Sequence, residues 1–132
     1  MATVYKEIEI EAPTEQVWDA LADFGALHTR LVPGFVTDTE LVGDTRKVTF
    51  FTGAVASERL VGVDEGAHRL AYTVTDGPFG AEHHHASAQV LPAGEGRSRF
   101  VWITDVLPDE LATPTAGLMQ RGLATMKATL EG

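Results

Sequence analysis

The sequence predicts a single α+β domain over residues 1–132, with a curved antiparallel sheet of seven strands wrapped round a long C-terminal helix. Two observations predict this class. Six segments of strand character follow one another between Phe35 and Val106, with short turns and no helix between them, as in an antiparallel meander. The C-terminal segment instead repeats its apolar side chains at helical spacing. A further strand and two short helices are expected before the meander.

The first strand is predicted from the alternation of apolar and charged side chains over residues 3–11. Thr14 follows at a position where its side chain could cap a helix. The helix is expected to bury one apolar stripe, formed by Val17, Leu21 and Phe24. A second short helix is expected over residues 26–32, because Pro33-Gly34 stops it.

The meander is divided by turns that contain glycine, aspartate or proline. Its six predicted strands are Val36–Leu41, Arg46–Phe51, Val55–Val63, Arg69–Thr75, His84–Leu91 and Ser98–Val106. The link over residues 76–83 is the longest of the connections, which suggests that it covers part of the structure.

The C-terminal helix is predicted to start with Thr113 as its cap and Pro114 at its first position. Its apolar stripe consists of Met119, Leu123, Met126 and Leu130. At about 1.5 Å per residue, residues 114–131 span roughly 27 Å, enough to cross a sheet. Gly122 on the same side either allows close approach to the sheet or leaves space.

This order of elements resembles the SRPBCC or START-like superfamily, which has the helix-grip fold of birch-pollen allergen and includes polyketide cyclases and dehydrases. Two stretches carry the resemblance, Ile10–Leu21 at the family's usual opening and Gly96–Trp102 at its last strand. Small bacterial members carry Asn at the position of His85 and a larger apolar residue at that of Ala88. The resemblance implies fold more than chemistry, since members include enzymes, lipid carriers, hormone receptors and chaperone activators.

Composition excludes several classes of function. The net charge is −9, from 19 acidic against 10 basic residues, so we expect no binding to nucleic acid. Without cysteine there are no disulfides or thiolate nucleophiles. No apolar run approaches the roughly 20 residues that cross a membrane, and the N-terminus shows no secretion signal. We therefore expect a cytoplasmic protein without membrane insertion. Its expected oligomeric state is a monomer or a homodimer.

Three consecutive histidines are the most conspicuous polar feature. On a strand, His83 and His85 would share one face and could bind a metal, but only distant residues could complete the ligand set, so no metal or cofactor is expected. His84 shares its face with Ala86 and Ala88, a row that suits the concave side of the sheet. His84 is therefore the first candidate for a proton carrier in a pocket.

Other candidates could assist His84. Glu58 and Asp105 have apolar neighbours, which would raise the pKa of a carboxyl in a dry pocket and make it a general base. The alternative is that both face solvent on the convex side and pair with Arg59, Arg69 or Arg99. Tyr72 offers a hydroxyl to orient a ligand. The predicted catalytic set is thus His84, Glu58, Asp105 and Tyr72.

We expect aromatic, methionine and small residues to form the wall of a pocket where the concave face of the sheet meets the C-terminal helix. The predicted ligand-binding residues are Phe24, His28, Phe50, His85, Ala86, Ala88, Trp102, Met119, Leu123 and Met126. The same residues could instead form a packed core, with the alanines allowing close contact between sheet and helix. The pattern does not choose between cavity and core.

Three hypotheses follow. The first is that the protein binds a small apolar or aromatic molecule between sheet and helix. If it is also an enzyme, the resemblance implies acid–base chemistry of the cyclase or dehydratase type without a cofactor. The second is a carrier or interaction module without catalysis. The third is an enzyme engineered in such a pocket. The departures at His85 and Ala88 are consistent with this hypothesis and equally with ordinary sequence drift.

Overall fold

The computed structural model describes residues 2–132 and confirms the predicted fold class. Seven strands form one antiparallel sheet in the order β1-β7-β6-β5-β4-β3-β2. The strands are β1 (Ala2–Ile10), β2 (Val36–Val42), β3 (Thr45–Phe50), β4 (Val55–Asp64), β5 (Arg69–Asp76), β6 (His83–Pro92) and β7 (Ser98–Leu107). Strands β2 to β7 are the predicted meander, and β1 closes one edge by pairing with β7.

Irregular pairing occurs at several places in the sheet. The register of β4 against β5 shifts between Ser57 and Glu58 and again between Leu60 and Gly62, and β2 against β3 shifts between Val36 and Asp38. Bulges of this kind bend a strand and increase its twist. The sheet can therefore curve, and its concave face carries the main core of the protein.

The first helix, α1 (Thr14–Ala22), begins one residue earlier than a cap at Thr14 requires. Pro13 occupies the cap position. Its carbonyl oxygen accepts hydrogen bonds from the backbone N–H groups of Gln16 and Val17, with an N···O distance of 3.1 Å in each case. The predicted Thr14 cap is therefore wrong. The extended backbone of Pro13 already turns the chain into the helix without a side-chain acceptor.

The segment after α1 differs from the prediction at Phe24, which lies outside the helix in a 3₁₀ turn over Phe24–Ala26. The second short helix, expected over residues 26–32, is confirmed as a π-helix over Leu27–Leu31. Phe24 and Leu31 are buried nevertheless. The segment closes one end of the core, where the Phe24 carbonyl accepts a hydrogen bond from Arg46 Nη1 over 3.3 Å.

The C-terminal helix, α2 (Ala112–Glu131), follows a 3₁₀ turn and is about 30 Å long. It starts before Thr113, so the predicted Thr113 cap is wrong. Pro114 is its third residue and is tolerated there because the first N–H groups of a helix have no partner within it. Three residues of the predicted stripe are buried, with Met119, Leu123 and Met126 each 2–4% exposed, and Leu130 is half-buried.

The close approach of α2 to the sheet explains why residue 122 is a glycine. A Cβ atom at this position would lie 3.3 Å from ring atoms of both Phe35 and Trp102. The glycine therefore lets α2 contact these two rings rather than leaving space beside them. None of the helices described in residues 2–132 is both long and apolar enough to cross a membrane.

Candidate functional site

An apolar cavity of about 100 Å³ lies between the concave face of the sheet and α2. Alternation along each strand directs one set of side chains to this space, and helical spacing directs the stripe of α2 to it. Much of its wall is aromatic or methionine, namely Phe35, Phe50, Tyr72, Phe79, Phe100, Trp102, Met119 and Met126. Ala88 also lines it, where a larger side chain would occupy part of the space.

A second chamber of about 200 Å³ adjoins the first beneath the link between β5 and β6. The inner cavity and this outer chamber share five lining residues, Phe50, Glu58, Phe79, His84 and Leu118. Phe79 belongs to the long link that was expected to cover part of the structure. The outer chamber is the more polar of the two because it adds Thr75 and Asp76 to the wall.

A buried ion pair lies in the cavity wall. Arg46 on β3 and Glu58 on β4 are directly opposite each other in the sheet. Arg46 Nε donates to Glu58 Oε1 over 2.8 Å, and Nη2 lies 2.8 Å from the same oxygen. The guanidinium also stacks 3.8 Å from the centre of the Phe24 ring. Arg46 was not among the predicted partners of Glu58, and the expected alternative of a solvent-facing Glu58 is wrong.

His84 lies beside Glu58 at the junction of the two chambers. Burial is the main cause that lowers the pKa of His84, and the neighbouring charges of His83 and His85 lower it further, while Glu58 acts in the opposite direction. Because the pKa falls below 6.5, the imidazole is neutral at pH 7 and can accept a proton.

Tyr72 lines the inner cavity close to the same pair. Burial raises the pKa of Tyr72 far above its ordinary value of 10.0, and the charge of Glu58 adds to the rise. Arg46 and the indole N–H of Trp102 oppose it. The hydroxyl therefore stays protonated and can act as a hydrogen-bond donor to a ligand.

Two polar atoms in the wall have no partner within residues 2–132. The buried Trp102 Nε1 and Thr115 Oγ1 both lack a hydrogen bond. The indole N–H of Trp102 lies close to the Tyr72 hydroxyl and lowers its pKa. Buried polar groups normally have a partner, so these two enclosed atoms are exceptions in the cavity wall. Thr115 was not predicted, although it precedes Met119 by one helical turn.

Several predicted site residues lie elsewhere. Asp105 accepts a hydrogen bond from Thr3 over 2.6 Å and lines neither chamber. His85 lies opposite Asp105 in the register of β6 and β7, and its ring stacks on His83 with 6.4 Å between centres. Within residues 2–132, no group of three His, Asp or Glu side chains could hold a metal ion.

Four further predicted contacts also line neither chamber. Phe24, Ala86 and Leu123 are buried in the core that surrounds the cavity. His28 is half-buried, and its Nδ1 has no partner within the described chain. The predicted residues that do meet at the cavity are His84, Glu58, Tyr72, Phe50, Ala88, Trp102, Met119 and Met126.

The sequence profile of the family described as polyketide cyclase / dehydrase and lipid transport matches residues 1–131. The chain belongs to this family. The match extends over all seven strands and both helices, so the two chambers belong to the family domain itself. A comparison with curated protein sequences gives no match.

Solved structures of other proteins have the same fold. An uncharacterized Bacillus thuringiensis protein is 22% identical with a TM-score of 0.91, over 99% of this chain and 100% of that one. A Thermobifida fusca protein solved by NMR is 30% identical with a TM-score of 0.78, over 99% and 91%. Norcoclaurine synthase from Thalictrum flavum, in complex with dopamine and hydroxybenzaldehyde, is 21% identical with a TM-score of 0.71, over 98% and 84%.

Proposed function

We propose that this protein binds a small, largely apolar molecule in the inner cavity, with a polar group of that molecule at the junction of the two chambers. The observation that carries the proposal is an apolar cavity whose wall brings the polar side chains of Glu58 and His84 to the junction with the outer chamber. Apolar walls with a few convergent polar groups are typical of ligand sites.

The size of the cavity limits the ligand. A cavity of roughly 150 Å³ is known to hold benzene, whereas the inner cavity measures about 100 Å³. A single ring would therefore already fill the inner cavity, and a larger molecule would extend past Phe79 into the outer chamber. The structure of norcoclaurine synthase with two aromatic molecules supports the view that this fold can hold such ligands.

The side chain of Ala88 provides the test. Ala88→Leu would extend into the inner cavity, so it should weaken binding of the neutral fluorophore N-phenyl-naphthylamine at least tenfold while changing the melting temperature little. The measurement is a fluorescence titration together with thermal unfolding.

Ala86→Leu is the matched control. Ala86 lies two residues away on the same strand but in packed core, where overfilling costs typically about 1–3 kcal/mol. This variant should lose stability and keep its affinity for the fluorophore. If Ala88→Leu instead loses stability like Ala86→Leu and binds the fluorophore as the parent protein does, the cavity is not the binding site.

Acid–base catalysis is a second candidate, favoured by the neutral His84 beside the carboxylate of Glu58. In such a reaction His84 would accept a proton from the bound molecule, and Tyr72 would donate a hydrogen bond to the oxygen on which charge develops. A carrier would bind the same ligand with no turnover. His84→Gln distinguishes a catalyst from a carrier. In a catalyst the substitution should abolish turnover, whereas a carrier has no turnover before or after the substitution.

A further inference from the structure

The charged groups of the cavity wall cancel each other. Among the lining residues that the structure describes, only Arg46 and Glu58 carry charge in the inner cavity, and they pair with each other in the buried wall. The other two titratable groups, Tyr72 and His84, are uncharged at pH 7 because burial disfavours their charged forms. The inner cavity therefore has no unpaired positive charge to receive an anion.

The outer chamber adds a negative group to the path. Asp76 lines this chamber and is exposed to solvent. The protein as a whole carries a net charge of −9. An anionic molecule that approaches the junction therefore meets a repulsive field before it reaches the apolar wall.

Within the Arg46–Glu58 ion pair, the hydrogen-bonding capacity that remains open belongs to the carboxylate. Both contacts from Arg46 go to Glu58 Oε1, and Arg46 Nη1 donates to the Phe24 carbonyl. The Phe24 ring covers one face of the guanidinium. Glu58 Oε2 receives no hydrogen bond from residues 2–132. The open group on this part of the wall is thus an acceptor.

From these three observations we propose that the cavity selects an uncharged ligand over an anionic one, and that the ligand donates a hydrogen bond to Glu58 Oε2. This inference rests on the proposed binding function and deepens it by naming the class of ligand. A carboxylate in the cavity would be a buried charge without a counterion, next to a second carboxylate, which is strongly unfavourable. Apolar alcohols, phenols and amides fit the wall, whereas fatty acids and aromatic acids do not.

The test uses two molecules of the same shape and different charge. β-Naphthamide is neutral and has N–H donors, and β-naphthoate is its anionic counterpart at pH 7. Titration of the whole protein, followed by the chemical shifts of its backbone amides, should show that β-naphthamide binds at least tenfold more tightly. Equal affinities, or tighter binding of β-naphthoate, would overturn the inference and leave the binding function standing. Failure of both molecules to bind would overturn both.

A change at position 58 should reverse the preference. Glu58→Gln leaves Arg46 without its counterion, so β-naphthoate should gain affinity relative to β-naphthamide. Asp44→Asn is the control, because it removes one negative charge from an exposed ion pair with Arg59 and should leave the preference unchanged. If Glu58→Gln folds and its preference stays that of the parent protein, the assignment to Glu58 is wrong. If Glu58→Gln does not fold, the affinities of the parent protein for β-naphthamide and β-naphthoate decide whether the inference holds.

Discussion

A carboxylate at position 58 lies in an apolar wall because Arg46 supplies its counterion from the adjacent strand. Removing either partner of such a pair leaves an uncompensated buried charge, which is strongly destabilising. The partner could have been found from the sequence, since a turn centred on Thr52 places residue 46 opposite residue 58. Spacing places Arg46 on the face of the buried Val48 and Glu58 on that of the buried Ala56. It does not reveal that a cavity lies over this face, because that depends on contacts distant in sequence.

At the same scale, His84 should make stability depend on pH. Burial lowers the pKa of His84 in the folded protein below the 6.5 of the unfolded chain. As the pH falls below 6.5, the unfolded chain therefore takes up a proton that the folded protein does not, and the free energy of unfolding decreases. Urea denaturation should show a smaller decrease between pH 7 and about pH 5.5 in His84→Gln than in the parent protein.

His83→Gln is the control for this experiment. His83 is the exposed first residue of β6 and lines neither chamber. Its replacement should leave most of the pH dependence in place. Equal pH dependence in the parent protein and in His84→Gln would show that His84 does not titrate differently in the folded and unfolded states.

At the scale of the elements, α2 both supports the sheet and forms one side of the cavity. Its stripe was predictable because helical periodicity is local to the sequence. Thr115 belongs to the same stripe, one turn before Met119, and is buried there. The start of the helix was not predictable from Thr113-Pro114, because a preceding 3₁₀ turn over Asp109–Leu111 leads directly into it.

Two glycines of α2 should respond differently to substitution by alanine. A Cβ atom at Gly117 would have no neighbouring atom within 4 Å, so Gly117→Ala should stabilise the protein by up to about 1 kcal/mol through helix propensity alone. Gly122→Ala should gain less, because its Cβ would press on Phe35 and Trp102, which line the cavity. Gly122→Ala should therefore also weaken binding of N-phenyl-naphthylamine, and Gly117→Ala should not.

Thermal unfolding and fluorescence titration measure the two effects. The comparison is matched because both positions lie in the same helix and receive the same substitution. A Gly122→Ala variant that gains as much stability as Gly117→Ala and keeps full affinity would contradict the close contact of α2 with these rings.

At the scale of the whole molecule, the order of strands and helices followed from local patterns of spacing and turns. The existence of the cavity could not be predicted in this way, because the same aromatic and methionine residues would form either a cavity wall or a packed core. Ala86 and Ala88 illustrate the difficulty. They have the same size and face the same way on β6, yet only Ala88 borders the cavity. The position of α2 over the sheet decides this, and it depends on contacts distant in sequence.

The methionine methyl groups give the most direct measurement of the central claim. The chain has three methionines, and Met119 and Met126 both line the inner cavity. In a sample labelled at the methionine methyl carbons, titration with β-naphthamide should shift both of these resonances and give nuclear Overhauser effects between them and the naphthalene protons. Saturable binding that leaves the Met119 and Met126 methyl signals unchanged would place the ligand elsewhere and contradict a binding site between the sheet and α2.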